Sequence, residues 1–136
     1  MLNGLTENLV LTEEKASQMP PLTLAYIGDS VFDLYVRTKY VLGCSKNAGA
    51  LHSMSIRLVN ARAQAAFAHR WMERFTEAEA DIFRRGRNAK SPSPPKNMSI
   101  ADYKYATALE AVIGYLFLTG QDGRIDEILG TLDFEV

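Results

Sequence analysis

Leu24-Ala25-Tyr26-Ile27-Gly28-Asp29-Ser30-Val31-Phe32-Asp33-Leu34 is the stretch whose reading decides the fold. Leu24, Ile27, Val31, Leu34 and the following Tyr35 fall three and four residues apart. That spacing puts them on one side of a helix, whereas a strand would show alternation. Two residues interrupt the pattern. Gly28 costs a helix roughly 1 kcal/mol relative to alanine, and Asp29 brings a charge into an apolar segment. Two readings follow. Asp29 is a metal ligand at a place where a second helix crosses closely, or it lies on the solvent edge and Gly28 merely permits close packing.

The same period runs along the rest of the chain. Residues 12–18 predict a short opening helix, with Thr12 as its cap and Glu13 and Glu14 in its first turn. Met19-Pro20-Pro21 ends it. Residues 22–41 predict a first long helix stopped by Gly43, and residues 47–72 a second one. Leu51, Met54, Leu58, Ala61, Ala65 and Ala68 form the inner face of that second helix. Thr76 and Glu79 make a capping box for a third helix reaching about Arg87. Residues 88–97, with Pro92, Pro94 and Pro95, predict a loop. Ser99 and Asp102 start a helix that carries Leu109, Val112, Ile113, Leu116 and Phe117 on its stripe and ends near Thr119, before Gly120. A last short helix covers roughly residues 123–131. Runs of alternating β-branched residues are nearly absent, so the expected fold class is all-α. The 136 residues suit one domain with one core, residues 1–136.

Thr107-Ala108-Leu109-Glu110-Ala111-Val112-Ile113-Gly114-Tyr115 repeats the design of the first motif. One carboxylate stands in an apolar helix, and Thr107, Glu110 and Gly114 share a face. Either motif alone reads more simply as structural. Together they offer two oxygen donors on separate rigid elements, which suits a hard divalent cation. A third feature lies between them in sequence. Arg84, Arg85, Arg87, Lys90 and Lys96 occur in a stretch, Phe83 to Asn97, that contains no acidic residue. Such an arm suits phosphates, although basic residues also favour helix C-termini for their own sake. His52 and His69, the two histidines, fall on one predicted helix without the spacing of a zinc site. His52 is read chiefly as a packing residue and Trp71 as a core residue. Phosphate-loop, dinucleotide and serine-hydrolase motifs are absent.

Bulk composition limits the function classes. At 47% apolar and 23% charged residues the chain is an ordinary globular protein, and no apolar run is long enough to span a membrane. A single cysteine, Cys44, excludes an intrachain disulfide, and the N-terminal residues lack a signal-peptide pattern. A cytoplasmic protein is expected. The net charge of −1 argues against a strong general nucleic-acid binder, so RNA binding would rest on a local basic patch and be salt-sensitive.

Residues 24–34 resemble the signature helix of the ribonuclease III catalytic domain, and Leu109-Glu110-Ala111-Val112-Ile113-Gly114 resembles its second acidic helix. Arg84-Arg85-Gly86-Arg87-Asn88-Ala89-Lys90 with Pro95-Lys96-Asn97 looks like the compact bacterial branch, Mini-ribonuclease III, which lacks the double-stranded-RNA-binding domain. The larger enzymes of the family carry glutamates where this chain has Leu22 and Ala25, and an aspartate where it has Thr107. The compact branch is similar to this chain in that reduction to Asp29 and Glu110.

The resemblance implies a ribonuclease III-like helical fold, a two-fold dimer, and cleavage of double-stranded RNA with Mg2+ held by Asp29 and Glu110. It also implies maturation of the large-subunit ribosomal RNA precursor, with a ribosomal protein as a further candidate partner. Thr107 is a candidate for positioning a water, or for simply bonding its own backbone. Arg84, Arg85, Arg87, Lys90 and Lys96 are the candidate RNA contacts. Two rival readings are a non-catalytic helical protein that binds RNA or ribosome-assembly intermediates, and a hydrolase of small phosphate esters.

Overall fold

The computed structural model describes residues 3–6, 10–90 and 93–134. Every regular element among them is a helix: α1 (Asn3–Thr6), α2 (Glu13–Ser17), α3 (Pro21–Gly43), α4 (Ala48–Val59), α5 (Ala61–Trp71), α6 (Glu77–Asn88), α7 (Ile100–Leu118) and α8 (Asp122–Leu129). The all-α expectation holds. Ser91 and Pro92 of the expected loop lie outside the described residues.

Helix α7 is the centre of the fold. From Ala108 to Phe117 its side chains are buried on every side except at Glu110. A helix that is apolar all round must be enclosed, and α2, α3, α5, α6 and α8 all pack on α7. Leu109, Val112, Ile113 and Leu116 are fully buried, as the sequence stripe predicts. Ser99 caps α7 through the Asp102 amide, 3.2 Å from Ser99 Oγ. Gly120 follows at φ 70°, a left-handed position suited to glycine.

Several boundaries shift for local reasons. Helix α3 begins at Pro21, since proline's fixed φ suits the first helical position. It runs through Gly43, and extended Cys44 ends it. The single helix expected over 47–72 is two helices. Asn60 takes an extended conformation between them and caps both. Its Nδ2 donates to the Ile56 carbonyl at 2.8 Å, closing α4, while its Oδ1 accepts from the Ala63 amide at 2.8 Å, opening α5. The Thr76–Glu79 capping box is present in full. On α3, Leu34 departs from the predicted buried stripe and is exposed.

Two buried anchors fix α5, α6 and α8. Trp71 is in the core and its Nε1 donates to Thr131 Oγ1 at 2.9 Å. Glu79 is 2% exposed, and Arg124 of α8 meets it with Nε and Nη2, both at 2.9 Å. Leaving such a buried carboxylate without its cation would be costly.

Candidate active site

The crossing of α3 and α7 places the acidic residues. A β-carbon on Gly28 would overlap the Glu110 carbonyl oxygen and lie 2.8 Å from the Gly114 amide nitrogen. A β-carbon on Gly114 would overlap the Leu24 carbonyl oxygen. Each glycine therefore lets the other helix's backbone come into direct contact. Asp29 follows Gly28, and Glu110 precedes Gly114 by one turn. Close backbone approach is thus what carries both carboxylates to one spot.

Their side chains lie within hydrogen-bonding reach of each other. Asp29 is exposed at the edge of the crossing, while Glu110 is half-buried. The close crossing expected at Gly28 is present, and Asp29 faces solvent beside a second carboxylate. Burial, and then the neighbouring Asp29, push the Glu110 carboxyl up to about 9 from the ordinary glutamate value. A cation bound between the two carboxylates would offset the repulsion that holds the Glu110 carboxyl up. Oxygen donors of this kind fit a hard divalent ion. Among the described residues no cluster of three or more His, Cys, Asp or Glu is present, so the protein's charged donors here are these two.

Gln64 joins the pair, and no sequence motif announces it. It is 3% exposed and sits one turn into α5, on the face that buries Ala65, Phe67, Ala68 and Trp71. Its amide lies against the Glu110 carboxyl and works against the upward shift there. Its Nε2 nevertheless makes no hydrogen bond of ordinary geometry among the described residues. A buried amide left so costs on the order of 1–3 kcal/mol. The signal that could have found it is a glutamine at a core position of an alanine-rich helix.

Thr107 is half-buried, one turn before Glu110 on the same face of α7. Ala25 is buried and Leu22 half-buried, so apolar side chains fill the two α3 positions. His52 is exposed and stands beside Arg37 and Val41, two turns and more along α3 from Asp29.

The five cations divide. Arg84 is exposed and ion-paired with Asp81. Arg85 is half-buried, and its guanidinium donates to the Ser17 and Met19 carbonyls, the latter at 3.3 Å. It ties α6 to the turn between α2 and α3. Arg87 is half-buried, with its Nε 3.4 Å from Asn88 Oδ1. Lys90 and Lys96 are exposed.

Comparison with known proteins agrees with this architecture. A model of the ribonuclease III domain matches residues 22–121. The Mini-ribonuclease 3 of Thermoanaerobacter sp. (strain X514) is 42% identical over 129 residues, covering 95% of this chain and 91% of that protein. The Mini-ribonuclease 3 of Staphylococcus aureus (strain NCTC 8325 / PS 47) is 45% identical over 114 residues, 82% of this chain and 85% of that protein. A crystal structure of a Fusobacterium nucleatum protein superposes with a TM-score of 0.76 at 31% identity, over 83% of this chain and 90% of that one. The α3–α7 crossing with its two carboxylates falls wholly inside the matched span, and the chain belongs to the ribonuclease III family, on its Mini-ribonuclease III branch, and with it to the double-strand-specific endoribonucleases.

Proposed function

We propose that this chain works as a cytoplasmic, magnesium-dependent homodimer, one catalytic domain per protomer, that cuts duplex regions of the large-subunit ribosomal RNA precursor. The observation that carries the reading is the meeting of Asp29 and Glu110 across the glycine-lined crossing of α3 and α7. Asp29 and Glu110 would hold the magnesium. When bound, magnesium supplies acidification of a water and positive charge against the phosphate. Water then displaces the 3′ oxygen of one nucleotide, leaving a 5′-phosphate and a 3′-hydroxyl.

The substrate's shape is met by charge rather than by an enclosed pocket. Duplex RNA is recognised through phosphates and 2′-hydroxyls along its minor groove. Lys90 and Lys96 are exposed for such contacts, with Arg84 and Arg87 close by in sequence. A two-fold dimer would offer one site to each strand. Support for it comes from the outer face of α3, where Tyr26, Leu34 and Val41 are 81%, 44% and 60% exposed. Apolar side chains gathered on one outer face suit burial against a second copy.

Incubation of the protein with duplex RNA, single-stranded RNA and a small phosphodiester, in magnesium and in EDTA, tests the reading. Magnesium-dependent cutting of the duplex alone is the expected result. Stable binding without cutting would instead establish a non-catalytic RNA binder.

A further inference from the structure

Gln64 is a strongly buried polar side chain beside the acidic pair, and its position is costly to the fold. The face of α5 that it occupies otherwise carries Ala65, Phe67, Ala68 and Trp71 into the core. An apolar residue there would bury as well without leaving an amide unpaired. Three features of the structure bring it to the site rather than elsewhere in the core. Asn60 breaks the chain between α4 and α5 and caps both ends. Gln64 follows one turn later, its backbone amide 3.0 Å from the Asn60 carbonyl. Helix α5 packs on α7, and the Gln64 amide comes against Glu110. Its Nε2 remains without a hydrogen-bond partner of ordinary geometry among the described residues.

We propose that Gln64 is a positioning residue for the cation-binding carboxylate: its buried Nε2, without a partner among the described residues, is placed to donate to the ionised Glu110 and so to fix that carboxylate in the orientation that, together with Asp29, receives a divalent cation. The proposal rests on the reading of Asp29 and Glu110 as cation ligands. A glutamine suits the task because it is uncharged. A third carboxylate at this depth would add repulsion to a pair already crowded, whereas an amide N–H stabilises the ionised carboxylate and keeps its free oxygen aimed outward. At 3% exposure the side chain sits in packed interior, which restricts the amide. Partners that orient a metal ligand in this way change metal affinity by about tenfold or more when removed.

The test uses full-length protein and Mn2+ as the probe, with affinity read by calorimetry in the absence of RNA. Gln64→Met keeps the length of the side chain and removes the amide. The expected result is a melting temperature equal to or above the wild type, Mn2+ binding weakened about tenfold, and an unchanged KM for duplex RNA. The turnover rate should fall at low Mg2+ and recover as Mg2+ is raised. Mn2+ affinity equal to the wild type in the folded variant overturns the proposal and leaves the acidic pair as the cation site. Wild-type protein that takes up no Mn2+ overturns both readings. A second measurement needs no variant. The side-chain 15N–1H resonances of Gln64 should move on addition of Mg2+ to the wild type, and resonances that stay still while Mg2+ binds overturn the proposal.

Discussion

Gly28 of α3 and Gly114 of α7 face each other across the helix crossing, and each occupies a space that a β-carbon would share with the opposite backbone. The crossing is therefore set by two residues with no side chain, and the acidic pair is set by the crossing. Gly114→Ala tests this coupling at a position that carries no charge. The added methyl would have to push the Leu24 carbonyl, and α3 with it, away from α7. Overpacking at backbone contact is expected to cost about 3 kcal/mol, or a drop in melting temperature of roughly 10 °C. Urea denaturation measures the first and a thermal scan the second. A stability within 0.5 kcal/mol (about the scatter of neutral surface changes) would mean that the helices do not need this contact.

Glu110 links the site to pH. Its carboxyl is pushed up to about 9 in the folded protein by burial and by Asp29. Folding therefore takes up a proton between the ordinary glutamate range and about pH 9. The contribution of this group to stability is fully present at low pH and is lost as pH rises through that window. Urea denaturation in EDTA of the wild type and of Glu110→Gln, which cannot ionise, isolates it. The wild type should lose stability relative to the variant between about pH 5.5 and 8.5, and added Mg2+ should restore it. A difference that stays constant with pH would remove the proposed repulsion.

The cations should separate by experiment as they do by geometry. Arg85→Ala removes donors from the Ser17 and Met19 carbonyls. Its expected effect is a loss of stability of about 1–2 kcal/mol. Lys90→Ala and Lys96→Ala change exposed side chains, so stability should hold while duplex-RNA affinity falls. The slope of log affinity against log salt should shrink by roughly 1 for each phosphate no longer neutralised. Binding titrations at several salt concentrations decide it, and an unchanged slope in the double variant would place the RNA elsewhere.

The acidic pair is legible in the sequence because charge and glycine interrupt otherwise apolar helices. Asp29 with Gly28, and Glu110 with Gly114, violate the local rules of a buried helix in matching ways, and such violations concentrate at sites. The break at Asn60 is hidden by its setting. The flanking alanines favour helix, and the break depends on one side chain capping in both directions. Gln64 is hidden because the alanines at 61, 65 and 68 set the apparent inner face one residue away, and glutamine is ordinary on a helix surface. The bonds of Arg85 to Ser17 and Met19 span more than sixty residues of sequence, and no local pattern announces them. The sequence of α7 shows one apolar stripe, whereas enclosure by five other helices buries it on nearly every side from Ala108 to Phe117.

The central claim is that Asp29 and Glu110 act as one cation-binding unit in cleavage. Single-turnover cleavage of a duplex RNA by Asp29→Asn, Glu110→Gln and the double variant, with RNA affinity measured alongside, tests it most directly. Affinity should stay within about twofold of the wild type while each single variant loses cleavage by at least about a thousandfold. The double variant should lose little more than either single one, since residues that act as a unit are not additive. Substantial cleavage in magnesium by either single variant, or losses that multiply in the double variant, would contradict the account.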